Sequence, residues 1–448
     1  MIHFFTILCR VGILATLFLY SGQVFGQYEH FANHQCAYDL GRAVMNDRYP
    51  GYEEQTARVF AEAKLTSELR GTSDEEYRVP VVVHIVWKEE DENLSDELII
   101  NQIETLNEDF RLRNPDRTQM RKIYSNRQGN PNIQFDLIEI RRVQTDEEYT
   151  INLFGDEILP DKVKRSADGG SDAADPNQFM NIWVCNIRPI PFLGAQILGY
   201  AYPPADLPNW PEDASAPSPE LDGVVVHYRR ISKDNPFSSN NPVAGVDYQN
   251  GRTLTHEVGH YLGLRHIWGD GGGIFGGNSC GEDDGVDDTP NQGRSSENDC
   301  NKEQNTCTEG PEADEPDMIE NYMDYSSEFC MNSFTHGQVA IMRAVLEGPR
   351  SGLLEELPTS AGSEMVAKDI KIYPNPADQE IFIRHDEPLN GRIQVFNQNG
   401  QVVVSEVQMA NNSAGTYRLD TGVLPDGMYI LHIITSNGIF VQKFSVLH

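Results

Sequence analysis

Residues 255–268 read THEVGHYLGLRHIW, with three histidines and a glutamate separated by two glycines. His256 and His260 are four apart, so on a helix they share one face, a turn apart, and can share a metal ion. Glu257 follows the first histidine and points beside that ion, where it can deprotonate a metal-bound water. Gly263 lets the chain leave the helix sharply at little cost, and the turn brings His266 back as a third ligand. Three imidazoles and an open fourth position make a catalytic rather than a closed structural Zn2+ site. The competing readings are a satisfied core histidine cluster and an inactive relic that binds zinc. The presence of Glu257 speaks against the second.

The helix sits in an α/β pattern. RVPVVVHIVW (78–87) reads as a buried strand, and IQFDLIEIRRV, MNIWVCNI and DGVVVHYRRI as further strands. LSDELIINQIETLNEDFRL (94–112) is an amphipathic helix with Ile99, Ile103, Leu106 and Phe110 on one face and Ser95 able to cap it. THGQVAIMRAVLE is a final helix. Between it and the histidines lies a long Gly/Asp/Cys-rich stretch, from about Gly269 to Glu315, without periodicity; a loop that long needs staples or ions to be ordered.

The chain has 448 residues and a formal net charge of −33. That balance argues against nucleic acid or an anionic membrane surface as partner. It fits a soluble exported protein. Residues 1–26 read as a signal peptide, with Arg10 before the apolar run VGILATLFLY; a membrane anchor is the alternative, but the run is short for a span. No transmembrane segment remains after its removal. Residues 27–70 are polar and helix-prone, 71–355 read as one α/β domain that holds the histidine motif, 356–369 as a linker, and 370–448 as a small all-β sandwich of alternating strands; the resemblance described below implies that 27–70 is a pro-segment and 71–355 the catalytic domain. The fold class is therefore α/β (α+β) with a mixed twisted sheet, followed by a β-sandwich. Of the cysteines, Cys185 lies in a buried strand and reads as an inert core thiol. Cys280, Cys300, Cys307 and Cys330 cluster in the Gly/Asp-rich region and suggest two disulfides, with three pairings open.

HEVGHYLGLRH resembles the long zinc motif of the metzincin metalloproteases, which carry a Met-turn downstream. ENYMDYS supplies one with Met323, and Tyr325 stands where several metzincins place a tyrosine that stabilises the transition-state oxyanion. GVDDTP, NYMDYS and CMNSFTHGQ together are similar to the pappalysins, in particular to their small microbial members. The resemblance spans about Arg78 to Leu354. It implies a metzincin-like catalytic domain and the pairing Cys280–Cys307 and Cys300–Cys330. It also implies Ca2+ in the loop CGEDDGVDDTP, where Asp284, Asp287, Asp288, the Thr289 hydroxyl and the Val286 carbonyl are candidate ligands. A solvated acidic loop is the competing reading. The resemblance further implies that the acidic residue two before the last disulfide cysteine, here Glu328, lies at the bottom of the S1′ pocket and selects Arg or Lys after the scissile bond. The family has Asp at this place, one methylene shorter. Small pappalysins also carry a pro-segment cysteine that blocks the zinc. Cys36 takes that place, followed here by Ala37 rather than Gly, and Leu69–Arg70 is a candidate self-cleavage point.

The C-terminal region resembles a type IX secretion sorting domain, through YPNPA (373–377), DGMYILHI and the terminal VQKFSV. It implies the type IX machinery as a partner, and export through periplasm and outer membrane of a Bacteroidetes-like bacterium. The whole reads as a secreted zinc endopeptidase acting on protein or peptide substrates, made as a latent zymogen, with substrate lying along ILGYAYPP (197–204) by strand addition. The alternative is a surface-displayed adhesin with a non-catalytic zinc site.

Overall fold

The computed structural model describes residues 36–37, 75–152, 158–190, 196–202, 219–238, 250–269, 280–281, 283–308, 314–354, 371–384, 391–397, 402–409, 416–435 and 438–448. The signal peptide, Leu69–Arg70, the linker and all of the pro-segment except Cys36 and Ala37 lie outside the described residues. The chain divides into two compact units, one ending at Leu354 and the other running on to His448.

The first unit is organised around β1 (Tyr77–Trp87), an almost unbroken apolar run that is buried on both faces from Val79 to Val86. Such a strand belongs in the middle of a parallel sheet, covered on both sides. It pairs in parallel with β2 (Ile133–Gln144) on one side and β3 (Met180–Cys185) on the other. β5 (Val224–His227) continues the parallel order, and β4 (Gly199–Ala201) closes the edge antiparallel to β5, giving the order β2-β1-β3-β5-β4. The sheet is therefore mixed. β5 is shorter than the apolar run suggests, because Tyr228–Arg230 turns into a 3-10 helix.

α1 (Asp96–Asp109) lays Ile99, Ile103 and Leu106 into the core, with Phe110 just beyond its end. Ser95 occupies the N-cap position, but its side chain makes no capping hydrogen bond. α3 (His336–Glu347) is capped by Thr335, whose hydroxyl accepts from the Gln338 backbone while the Gln338 side chain reaches back. These helices and the active-site helix share one large apolar cluster with β1, β2 and β3. Truncating a fully buried member such as Leu106 to Ala costs about 2–5 kcal/mol.

The second unit has two antiparallel sheets. β6 (Lys371–Tyr373), β7 (Glu380–Arg384) and β10 (Thr416–Asp420) form one; β8 (Gly391–Asn397), β9 (Val402–Met409), β11 (Gly427–Thr435) and β12 (Gly438–Val446) form the other. Ile381, Ile383, Ile393, Val395, Leu431 and Phe444 fill the core.

Candidate active site

α2 (Arg252–Tyr261) is buried along its whole length. It stops because Gly263 takes φ +91°, a conformation a side chain would strain, with its N–H bonded to the His260 carbonyl. The chain then doubles back and places His266 beside His256 and His260. The three Nε2 atoms lie 3.1, 3.1 and 3.2 Å apart. Nδ1 of His256 is 2.8 Å from the Tyr322 carbonyl, and Nδ1 of His260 is 2.9 Å from the Leu264 carbonyl. A carbonyl only accepts, so both Nδ1 atoms carry the proton and both Nε2 atoms present a lone pair. Lone pairs held this close repel unless a cation lies among them. In a tetrahedral site with zinc–nitrogen bonds of about 2.0–2.1 Å, the ligand nitrogens are about 3.3–3.4 Å apart, close to what the cluster shows. The residues therefore fit zinc.

Cys36 completes this group. Its Sγ and the three imidazoles form the one group of four His, Cys or acidic side chains among the described residues whose ligand atoms lie within 4.8 Å of one another. The thiol is also 3.3 Å from Glu257 Oε2. Cys36 lies in a parallel bridge with Gly199 on the edge strand β4, and the Ala37 N–H donates to the Gly199 carbonyl at 3.0 Å. Glu257 is fully buried. It passes so close to β4 that a Cβ at Gly199 would meet its Cγ and Oε1 at 2.8 Å. Gly199 is a functional position that sequence reasoning missed, since nothing local marks it.

Met323 packs against α2 at Gly259. Its Sδ would stand 2.4 Å from a Cβ at Gly259, so the small residue in HEVGH is what admits it. Tyr325 packs its ring against His256 and His266, at 5.5 and 4.8 Å between centroids. Its hydroxyl is 3.4 Å from the Cys36 carbonyl oxygen. Next to it, the buried Asp324 carboxyl is pushed up to about 6 by burial, against hydrogen bonds from Ser296 and Gln292 that favour its charge.

A narrow cleft opens beside the cluster, lined by Cys36, Leu198, Thr253, Glu257, Tyr325 and Glu328 among others. Glu328 is buried, and its carboxylate takes the N–H and hydroxyl of Thr253 at 3.0 and 2.9 Å and the Asn250 N–H at 3.1 Å. It thus caps the first turn of α2, whose N-cap residue Gly251 has no side chain to do so.

The acidic loop is arranged differently. Disulfides join Cys280 to Cys307 and Cys300 to Cys330, the pairing that the resemblance implies. Asp284 Oδ1 accepts from the Val286 N–H and the Thr289 hydroxyl, both at 2.9 Å, and that hydroxyl also bonds the Val286 carbonyl at 2.7 Å. Asp288 Oδ2 accepts from the Gly337 N–H at 3.0 Å. Among the described residues, the Asp284, Asp287 and Asp288 carboxylates are not gathered within 4.8 Å of one another as the histidine cluster is. Burial holds the Asp284 carboxyl well above the ordinary range, against the hydrogen bond from Val286. Cys185 is a buried free thiol, and burial raises its pKa too.

Comparison with known proteins agrees with this geometry. The family model described as Pregnancy-associated plasma protein-A, peptidase M43, matches residues 240–347. The model described as a secretion system C-terminal sorting domain matches residues 371–447. An extracellular metalloprotease of Arthroderma benhamiae is 34% identical over 168 residues, 37% of this chain and 49% of that protein. Extracellular metalloprotease 1 of Coccidioides posadasii is 32% identical over 270 residues, 59% of this chain and 74% of that protein. The chain spans about half the length of several of the curated relatives it matches. Among solved structures, a single-site mutant of Tannerella forsythia promirolysin is 34% identical with a TM-score of 0.54, covering 72% of this chain and 97% of that one. Mature mirolysin of the same organism, in complex with a cleaved peptide, is 36% identical with a TM-score of 0.50, covering 63% and 97%. Because the likeness runs through 74% of one metalloprotease and 97% of promirolysin, the chain belongs to the M43 pappalysin family of metzincins and carries a secretion sorting domain at its C-terminal end.

Proposed function

We propose that this chain is an exported zinc endopeptidase made as a latent zymogen. The observation that carries the proposal is the convergence of three imidazole Nε2 atoms at a cleft that the buried Glu257 and Tyr325 both line. Zinc held by His256, His260 and His266 would supply Lewis acidity to the scissile carbonyl and the attacking water. Glu257 takes the proton from that water and passes it to the leaving amine. The Tyr325 hydroxyl donates to the carbonyl oxygen as it becomes negative. Substrate adds as a strand along β4, within the stretch Ile197 to Tyr202 that the structure describes.

Latency rests on Cys36. The thiol fills the position the attacking water needs and faces the base, while its carbonyl takes the place beside Tyr325. The chain around it uses the same edge strand as the substrate would. Cleavage upstream of Glu75, with Leu69–Arg70 as the candidate bond, frees the cleft. That leaves residues 1–26 as signal peptide, 27–70 as pro-segment and 71–355 as protease. The sorting domain at 370–448 directs export through the type IX machinery to the medium or cell surface of a Bacteroidetes-like bacterium. Among the described residues no helix is long and apolar enough to cross a membrane.

Two finer assignments belong to the same reading. Glu328 lines the cleft as an S1′ carboxylate and favours Arg or Lys after the cut; with three donors already on its oxygens, about one of its four acceptor positions is left for an incoming guanidinium. Calcium braces the acidic loop, supported by Asp284 Oδ2 and Asp288 Oδ1, which are buried without a hydrogen-bond partner. A polar cavity of about 290 Å3 lies in the same loop region, lined by Asp283, Asp287, Thr289 and Glu315 among others.

The test is casein hydrolysis by the activated protein, with and without a zinc chelator, and with Glu257→Ala. Hydrolysis should stop with the chelator and fall about 10²–10⁴-fold in the variant. A wild type that holds zinc and cuts nothing would overturn the reading in favour of a binding protein.

A further inference from the structure

Asp109 ends α1 and is fully enclosed. Its carboxylate reaches across to the active-site helix and to the Met-turn at once. Oδ2 accepts from the Thr255 hydroxyl at 2.8 Å, and Oδ1 accepts from the Tyr322 hydroxyl at 2.7 Å and from Arg252 at 3.4 Å. Thr255 is the residue immediately before His256. Tyr322 is the residue whose carbonyl holds His256 Nδ1 at 2.8 Å. One carboxylate therefore holds the first imidazole from two sides, through the helix that carries it and through the carbonyl that turns its ring. Nothing in the motif itself accounts for Asp109, which lies 147 positions before His256 in the chain.

Burying a carboxylate is costly unless it is paired and fully bonded. Asp109 meets that condition with Arg252, which is also paired with Asp116 at 2.5 Å and lies with its guanidinium 5.4 Å from the Tyr322 ring centre. The Tyr322 ring is wedged against Phe334, 4.8 Å between centroids. The tyrosine is anchored at its hydroxyl and packed along its face, and its N–H donates to the Ser333 carbonyl at 3.1 Å, so side chain and backbone are both held next to His256. The carbonyl in turn keeps the proton on Nδ1 and the lone pair on Nε2. Partners that orient a metal-bound imidazole through its second nitrogen govern metal affinity, and their loss costs about 10–100-fold.

We propose that Asp109 is a positioning residue for the metal ligand His256, acting through Tyr322 and Thr255. The inference rests on the zinc reading given above.

The test uses the full chain, stripped of metal and titrated with Zn2+ against a chromophoric chelator. Asp109→Asn and Tyr322→Phe should each weaken zinc binding about 10–100-fold. The double variant should lose little more than either alone, because both cut the same chain of contacts. Tyr322→Phe keeps the ring and its packing, so it folds even if loss of the buried carboxylate does not. Thermal unfolding of the metal-free forms separates stability from affinity. Lower melting temperatures with unchanged zinc affinity would make Asp109 a structural residue and overturn the inference. So would additive losses in the double variant. A wild type that fails to bind zinc would instead sink the zinc reading itself, an outcome distinct from these.

Discussion

In the histidine cluster, His256 and His260 each give their Nδ1 proton to a carbonyl, and the opposite nitrogens are left facing one another. In the loop from Asp283 to Thr289 the oxygens turn instead to their own backbone: Asp284 takes Val286 and Thr289, and the Thr289 hydroxyl bonds the Val286 carbonyl. Both stretches are dense in metal-ligating residue types. They differ in where the remaining hydrogen-bonding capacity goes. The cluster is held from behind by backbone carbonyls, so its Nε2 lone pairs converge on one point, an arrangement that favours a cation. The loop satisfies much of itself, so a cation there would add to an order that the backbone bonds and two disulfides already provide. On the function proposed above, the cluster is the site that defines activity, and a cation in the loop would act on stability.

Three measurements sharpen or break that contrast. The largest effect belongs to His260→Ala. It should abolish both retained zinc and peptide hydrolysis, measured by metal content after dialysis and by casein cleavage. Asp288→Ala in the loop should leave zinc content unchanged and act on thermal stability alone. Loss of zinc in the loop variant would show that the two regions are one site.

Next comes the staple. Replacing Cys280 and Cys307 with serine opens a cross-link between positions 27 apart, which should cost about 3–4 kcal/mol of stability. Denaturant unfolding reads the loss, and zinc affinity of the folded protein should stay as it was. A variant with wild-type stability would mean that backbone bonds alone order the loop.

The smallest effect comes from a histidine that is not a ligand. His84 spends both ring nitrogens, on the Ser171 hydroxyl at 2.8 Å and on Asn181 Oδ1 at 3.0 Å, and stacks on Trp183. Burial lowers its pKa from 6.5 to about 4, partly offset by the hydrogen bond to Asn181. The unfolded chain takes up the proton first, so the stability this neutral ring contributes is present above pH 6.5 and lost as pH falls through about 4. That shift is worth about 3 kcal/mol at full development. Unfolding midpoints at pH 7 and pH 4.5 should separate, and His84→Gln should flatten the slope. An unchanged slope in the variant would assign the acid sensitivity elsewhere.

The zinc helix was legible because its information is local. Spacing of four, a glycine at the exit and a returning histidine are all set by helix geometry within eleven residues. The strands were legible for the same reason, since a parallel sheet covered on both faces demands unbroken apolar runs. The run around Val224 overreached, because apolarity does not mark where Tyr228 leaves the strand plane. Ser95 likewise fits a cap by residue type, yet its side chain makes no bond there. Glu328 reads from sequence as a pocket carboxylate; packing adds that it caps α2, which no nearby residue reveals.

By itself, then, the amino-acid order determined the three clustered histidines with the glutamate beside them, the sheet's central strands and the change to an all-β unit near residue 370, because each depends on periodicity or on contacts within a turn or two. Only the tertiary structure decided which distant groups complete the site. Gly199 leaves room for Glu257, and Asp109 holds Tyr322 across 213 positions; for Cys36, which the resemblance already pointed to, the fold adds the contact with Glu257 across 221. Such pairings carry no spacing signal. They exist because a close-packed core leaves a buried polar group no partner except the one the fold delivers.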